Sequence, residues 1–173
     1  MKKEPVSTGK VINVKIAGLG GMGILTAAGI LAEAAFRAGR DCKRSELHGM
    51  SQRGGSVSSD VRFGKIVFSP MIPRGEIDYL LLMEESQLEL FGHDLRAGGE
   101  IISAAIFKAA PLPNRKCLNI ALLGALGARL DFPARTWTEV MREKLKPELL
   151  EINAAAFNLG REAMNNYAAG KQK

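Results

Sequence analysis

Gly18, Gly20 and Gly23, with Gly21 between them, satisfy the pattern G-x-G-x-x-G, and a second run, Ser45-Glu46-Leu47-His48-Gly49-Met50-Ser51-Gln52-Arg53-Gly54-Gly55, concentrates reactive side chains. Glycines at this spacing let a backbone approach a phosphate, and a helix that follows them offers unpaired N–H groups and its positive dipole end to an anion. The same glycines also suit a bare strand-to-helix turn, so both readings stand. The second run mixes a carboxylate, an imidazole, an amide and a guanidinium among glycines, which a plain linker does not need. Arg53 has a planar donor fork matched to a carboxylate or phosphate, and His48 can donate a hydrogen bond beside it. No residue stands out as catalytic in its own right. His48 and Arg53 are the candidates, and the other members of both runs are candidate cofactor contacts. Alternatively, Glu46, His48, Gln52 and Arg53 satisfy one another and only fix the loop.

The elements needed to position these runs follow from periodicity. Val11–Ala17 is β-branched and predicts a strand entering the glycine turn; apolar residues from Ile24 to Phe36 recur at three and four and predict a helix ended by Gly39. Asp41 to Gly55 has no regular period and is expected to be a long ordered loop. Ser56–Phe63 alternates, and Gly64-Lys65 before Ile66-Val67-Phe68 predicts a two-residue hairpin. Ile77–Met83 reads as a strand buried on both faces, then a short helix from Glu84 to about Leu95, a turn at Arg96–Gly99 and a strand at Ile101-Ile102. Glu84 falls at a strand end, where open α/β sheets bind ligands, although N-capping of the short helix also explains it. Asn119–Leu130 is apolar all round, as a helix inside a domain would be. Thr136 as N-cap opens a helix to Leu145, and Pro147 opens another to about Tyr167. The expected fold is a three-layer α/β/α domain over 1–173, with a mostly parallel sheet, one β-hairpin, a helical C-terminal part and disordered tails at about 1–9 and 168–173. A nicotinamide-type unit would continue into a second apolar strand ending in an acid, and RDCKRSELHGM supplies none.

The 173 residues are 46% hydrophobic and 24% charged, which suits one globular core. The net charge of +6 gathers partly in Lys43, Arg44, Arg53, Arg62, Lys65 and Arg74, a stretch that either faces an anion or is a solvated basic face. Nucleic acid is disfavoured because aromatic residues are not interleaved with the cations. No apolar run reaches membrane-spanning length and the N-terminal residues do not form a secretion signal, so no membrane association and a cytoplasmic location are expected. Cys42 and Cys117 are the two cysteines, whereas a four-iron cluster takes four thiolates. His48 and His93 have no metal-ligand spacing, so no metal site is expected.

The His-Gly-Met-Ser-Gln-Arg-Gly-Gly run, together with Gly18–Gly23, Arg62, Ser69-Pro70, Asp78 and Glu84, resembles the gamma-type domain of 2-oxoacid:ferredoxin oxidoreductases, nearest to the indolepyruvate-type enzymes. Asn119–Ala125 and Asn153–Gly160 continue the likeness. It implies oxidative decarboxylation of a 2-oxoacid to an acyl-CoA, with coenzyme A as cosubstrate. It further implies a large alpha subunit carrying thiamine diphosphate, magnesium and 4Fe-4S clusters, and ferredoxin as electron acceptor through the complex. This chain would then be a subunit inactive alone, whose 45–55 run packs near the partner's active site. Only Ala104 to Leu118 stand where the family usually places a further strand and helix. A stand-alone nucleotide-binding α/β protein, or an interaction module without an oxidoreductase partner, are the alternatives.

Overall fold

The structure is a computed structural model and describes residues 9–49, 54–107, 112 and 114–170. Strand β1 (Ile12–Leu19) leads through the glycine turn into α1 (Ile24–Arg37), followed by β2 (Asp41–His48), β3 (Ser56–Gly64), β4 (Ile77–Leu82), the short α2 (Gln87–Phe91) and β5 (Leu95–Ser103). Helices α3 (Leu118–Gly127), α4 (Ala134–Lys144) and α5 (Pro147–Gly170) complete it. The sheet order is β2-β3-β1-β4-β5. β1 pairs parallel with β4, and β4 with β5, while β3 runs antiparallel to both β1 and β2. The α/β class holds, in a mixed sheet whose parallel and antiparallel pairings are equal in number.

The two faces of the sheet are covered differently. Val14, Ile16, Val61, Phe63, Leu81 and Ile102 point into one apolar cluster with the buried sides of α1, α3, α4 and α5. Rings of Phe63, Phe132, Trp137 and Phe157 run through it with successive centroids 5.4, 5.7 and 5.2 Å apart. Helix α3 is buried along nearly its whole length. It meets α5 so closely that a methyl group at Gly124 would lie 2.0 Å from the Phe157 carbonyl oxygen, and one at Gly160 1.8 Å from that of Ala121. On the other face a smaller apolar group, Ala17, Ile77, Leu80 and Leu82, sits beside buried polar residues. A strap without regular structure, 65–76, and α2 form its cover.

That strap is fastened by the sheet's own polar side chains. Asp60 binds the Lys15 ammonium and accepts from the Ile72 N–H at 3.0 Å. Arg62 donates to the Ser69 and Met71 carbonyls, both at 2.9 Å, and to Asn13 Oδ1 at 2.8 Å. Asn13 Nδ2 donates to the Glu76 carbonyl at 2.8 Å, and buried Asp78 accepts from the Asn13 N–H at 2.8 Å and faces Arg96 at 2.7 Å. Arg62 and Ser69-Pro70 therefore hold the strap, whereas Asp78 binds within the sheet, to the Asn13 N–H and Arg96.

Several expectations need correction. Asp41–His48 is a strand, and a half-exposed edge strand has little apolar face to show as a period. The hairpin joins β2 to β3, whereas Ile66–Phe68 begins the strap, its Val67 N–H bound to Asp41 Oδ2 at 2.7 Å. Arg96–Gly99 lies inside β5, where the register against β4 shifts and Gly98 takes φ +77°. Thr136 is buried within α4, which starts at Ala134 after Pro133. Glu84 precedes α2 and does not cap it; the helix begins at Gln87 behind Ser86, with no side-chain cap. Between β5 and α3 the described residues form two short 3-10 turns, Ala104–Phe107 and Arg115–Cys117, which leaves β5 as the sheet's edge.

Candidate functional site

The glycine turn sits at the C-terminal ends of β1 and β4, beside the N-termini of α1 and α3. Gly21 (φ +91°) and Gly23 (φ +76°) adopt left-handed backbone that favours glycine. Gly23 also has no room: a Cβ there would lie 2.3 Å from Asn119 Nδ2, which donates to the Gly23 carbonyl at 3.2 Å. At Gly18 a Cβ would lie 2.8 Å from that of Met83. Gly20 differs, since a methyl group would meet Gly54 at an ordinary 3.6 Å. The turn is thus a structural necessity at Gly18, Gly21 and Gly23, and open to another role at Gly20.

The two sequence runs do come together. The Gly20 N–H donates to the Gly55 carbonyl at 2.9 Å, and Gly49 closes the hairpin through a 2.7 Å bond to the Ser56 carbonyl. Arg44, Glu46 and His48 alternate onto the α1 side of β2, with Arg44 3.1 Å and His48 3.9 Å from Glu46. A cleft of about 360 Å³ between Gly20, Gly21, Gly23, Thr26, Val57 and His48 joins the glycine turn to the second run. Ser45 turns the other way, its hydroxyl donating to the Pro70 carbonyl at 3.4 Å, so it is separated from His48 by the sheet. Gly54 and Gly55 line the turn. Met50, Ser51, Gln52 and Arg53 lie outside the described residues.

The sequence did not single out Arg115 and Lys116. Both are exposed just before α3 and line a second cleft with Gly21, Met22, Met83 and Leu118, which continues past Arg115 to Glu84, Ala104 and Phe107. Asn114 positions them, its side chain accepting from the Lys116 N–H at 2.9 Å. Cations at a helix start are disfavoured by the dipole, so two of them before an apolar helix are the signal that reasoning from sequence could have used. With the glycine turn they form a basic rim over an apolar floor of Met22, Met83 and Leu118, suited to an anion with an apolar body.

Iron–sulfur or metal chemistry does not fit the side chains that are described. Cys42 lies half-buried on β2 and Cys117 is buried ahead of α3, and among the described residues no three His, Cys, Asp or Glu could share an ion. Burial pushes the Cys42 thiol up to about 11. No helix among those described is long and apolar enough to cross a membrane.

Residues 13–113 match the family model described as pyruvate ferredoxin/flavodoxin oxidoreductase. The chain is 33% identical to the indolepyruvate oxidoreductase subunit IorB of Thermococcus kodakarensis, over 89% of this chain and 96% of that one. It is 35% identical to the 2-oxoglutarate synthase subunit KorC of Archaeoglobus fulgidus, over 87% of each. Among solved structures, the keto/oxoacid ferredoxin oxidoreductase gamma subunit of Geobacter sulfurreducens superposes with a TM-score of 0.72 at 22% identity, covering 90% of this chain and 99% of that one, and so shares its fold.

Proposed function

This chain belongs to the pyruvate ferredoxin/flavodoxin oxidoreductase family, and from that premise we propose that it is the small, cluster-free subunit of a 2-oxoacid:ferredoxin oxidoreductase acting on an arylpyruvate such as indolepyruvate. The near full-length match to an indolepyruvate oxidoreductase subunit carries this reading. Thiamine diphosphate, magnesium and 4Fe-4S clusters belong to a large alpha partner, because four thiolates are needed for each such cluster and this chain has two cysteines. The partner performs the decarboxylation and passes electrons to ferredoxin. This subunit completes the assembly, inactive by itself.

Its own residues bind and orient. The basic rim of Arg115 and Lys116, beside Gly21 of the glycine turn, takes the diphosphate of coenzyme A, while the apolar floor carries a less polar part of the same molecule. His48 and Arg53, toward the turn end of the 45–55 run, face the partner's active site, where Arg53 receives a carboxylate or phosphate, while Ser45 lies on the other face of β2. A nicotinamide dinucleotide suits the site poorly: the strand after α1 is a polar, antiparallel edge strand, not a parallel strand ending in a ribose-binding acid.

The test is anaerobic co-purification of the chain with its partner from native lysate, followed by assay for 2-oxoacid-dependent dye reduction. A large iron–sulfur partner and thiamine-dependent activity should co-elute; a chain that elutes alone and inactive withdraws the oxidoreductase role. Arg115→Ala tests the anion site, since its side chain is exposed at the rim of that cleft. Coenzyme A should bind the complex roughly tenfold more weakly, the size of one lost charge-assisted hydrogen bond, with thermal unfolding unchanged. Unchanged affinity in Arg115→Ala and in Lys116→Ala alike would remove the site.

A further inference from the structure

The outer edge of β2 carries a pattern that is complementary to itself. Among the described residues β2 ends the sheet, and its inner edge pairs with β3. The Gly49 N–H points to β3, binding Ser56 at 2.7 Å, and the Ser45 carbonyl is turned the same way, accepting from Ser59 Oγ at 3.0 Å. Because main-chain groups alternate sides along a strand, those of Cys42, Arg44, Glu46 and His48 face outward. Edge strands are commonly protected by charge that repels a second strand. Here the charges do the reverse for one particular partner, a second copy of β2.

We propose that two copies of this chain associate antiparallel through β2 about a two-fold axis at Ser45, making one continuous sheet. In that register the outward-facing residues pair as Cys42 with His48 and Arg44 with Glu46, each pair occurring twice by symmetry. The Arg44–Glu46 pairs set opposite charges side by side, whereas axes at Arg44 or Glu46 would set like charges together. The axis at Ser45 also uses the strand from Cys42 to His48. Exposed apolar side chains gather beside it: Leu47 is 52%, Phe68 80% and Met71 58% exposed, and the strap carrying the last two is bonded to Ser45 through Pro70. A second copy would cover them, with each Lys43 stem lying along the other's Leu47. The axis itself is a pair without main-chain hydrogen bonds between the two Ser45 residues, where Cα atoms approach to about 4.5 Å, within reach of a disulfide. The inference does not rest on the oxidoreductase reading; His48 would give its main chain to the second copy and keep its side chain in the cleft beside the glycine turn.

Sedimentation of the purified full chain, with circular dichroism of each variant as a folding check, tests it. The unaltered chain should be a dimer in the micromolar range. Arg44→Glu should weaken it on the order of a hundredfold by placing like charges together, and Arg44→Glu with Glu46→Arg should restore it. Ser45→Cys, nearly isosteric, should give a disulfide-linked dimer on mild oxidation, while Phe36→Cys, exposed on α1, should not. A monomeric chain, a dimer indifferent to Arg44→Glu, or Ser45→Cys that stays uncrosslinked would overturn the proposal. An edge occupied only when another polypeptide is added would assign it to that partner instead.

Discussion

Lys15 and Ile16 are neighbours in β1 and equally hidden from solvent, yet they belong to opposite faces of the sheet held by different forces. Ile16 enters an apolar layer that four helices close, and its contribution is one share of a large, adaptable burial. Lys15 enters a polar layer under a strap and a five-residue helix, with its ammonium on Asp60 and 4.9 Å from the centre of the Phe91 ring. On the first face, approximately the right volume suffices. On the second, each group depends on a named partner, so loss of one leaves another charged or polar group stranded.

Substitutions at these adjacent positions would separate the two regimes most sharply. Lys15→Met keeps the bulk but leaves Asp60 buried without its cation, and urea unfolding should show a loss of about 3–5 kcal/mol. An equal stability with Lys15→Met would mean the polar layer is as forgiving as the helical one. Ile16→Val removes one methylene from the apolar layer and should cost about 1 kcal/mol in the same measurement. The smallest effect is chemical. Cys42 lies on the helix side of β2, and burial there raises its thiol to about 11, so it is neutral at ordinary pH. Alkylation of the native chain followed by mass spectrometry should therefore be slow at neutral pH and accelerate with each added pH unit toward 11, because the thiolate is the reacting species. Rapid labelling at neutral pH would show that the apolar layer does not reach the edge strand.

The same contrast explains which parts were legible in the sequence. Periodicity revealed β1, α1, β4 and the apolar α3, because each buries side chains in an environment where apolarity is the only requirement. It could not reveal β2, whose DCKRSELH has charged residues on a half-exposed edge, or the true partner of β3, since pairing across the hairpin depends on residues far from the turn. Arg62, Ser69-Pro70 and Asp78 stood out in the sequence as distinctive; the first three fasten the strap and Asp78 ties β4 to Asn13 of β1, since a buried polar network constrains residue type as tightly as chemistry does. That the glycine turn meets the second run, Gly20 against Gly55, was not legible, because the contact joins segments distant in the chain. Arg115 and Lys116 escaped notice: two cations before an apolar helix were the one local sign, and their place at the sheet's C-terminal edge arises from the path between β5 and α3.

The tight crossing of α3 and α5 has a consequence for how the chain is made. Helix α3 has nearly every residue buried, and the groove at Gly124 is filled by backbone of α5 that accepts no substitute of larger girth. During synthesis residues leave the ribosome in order, so α3 emerges before 147–170 and stands for that interval as an uncovered greasy rod. Until α5 arrives, that exposed apolar surface is the part of the nascent chain most prone to aggregate.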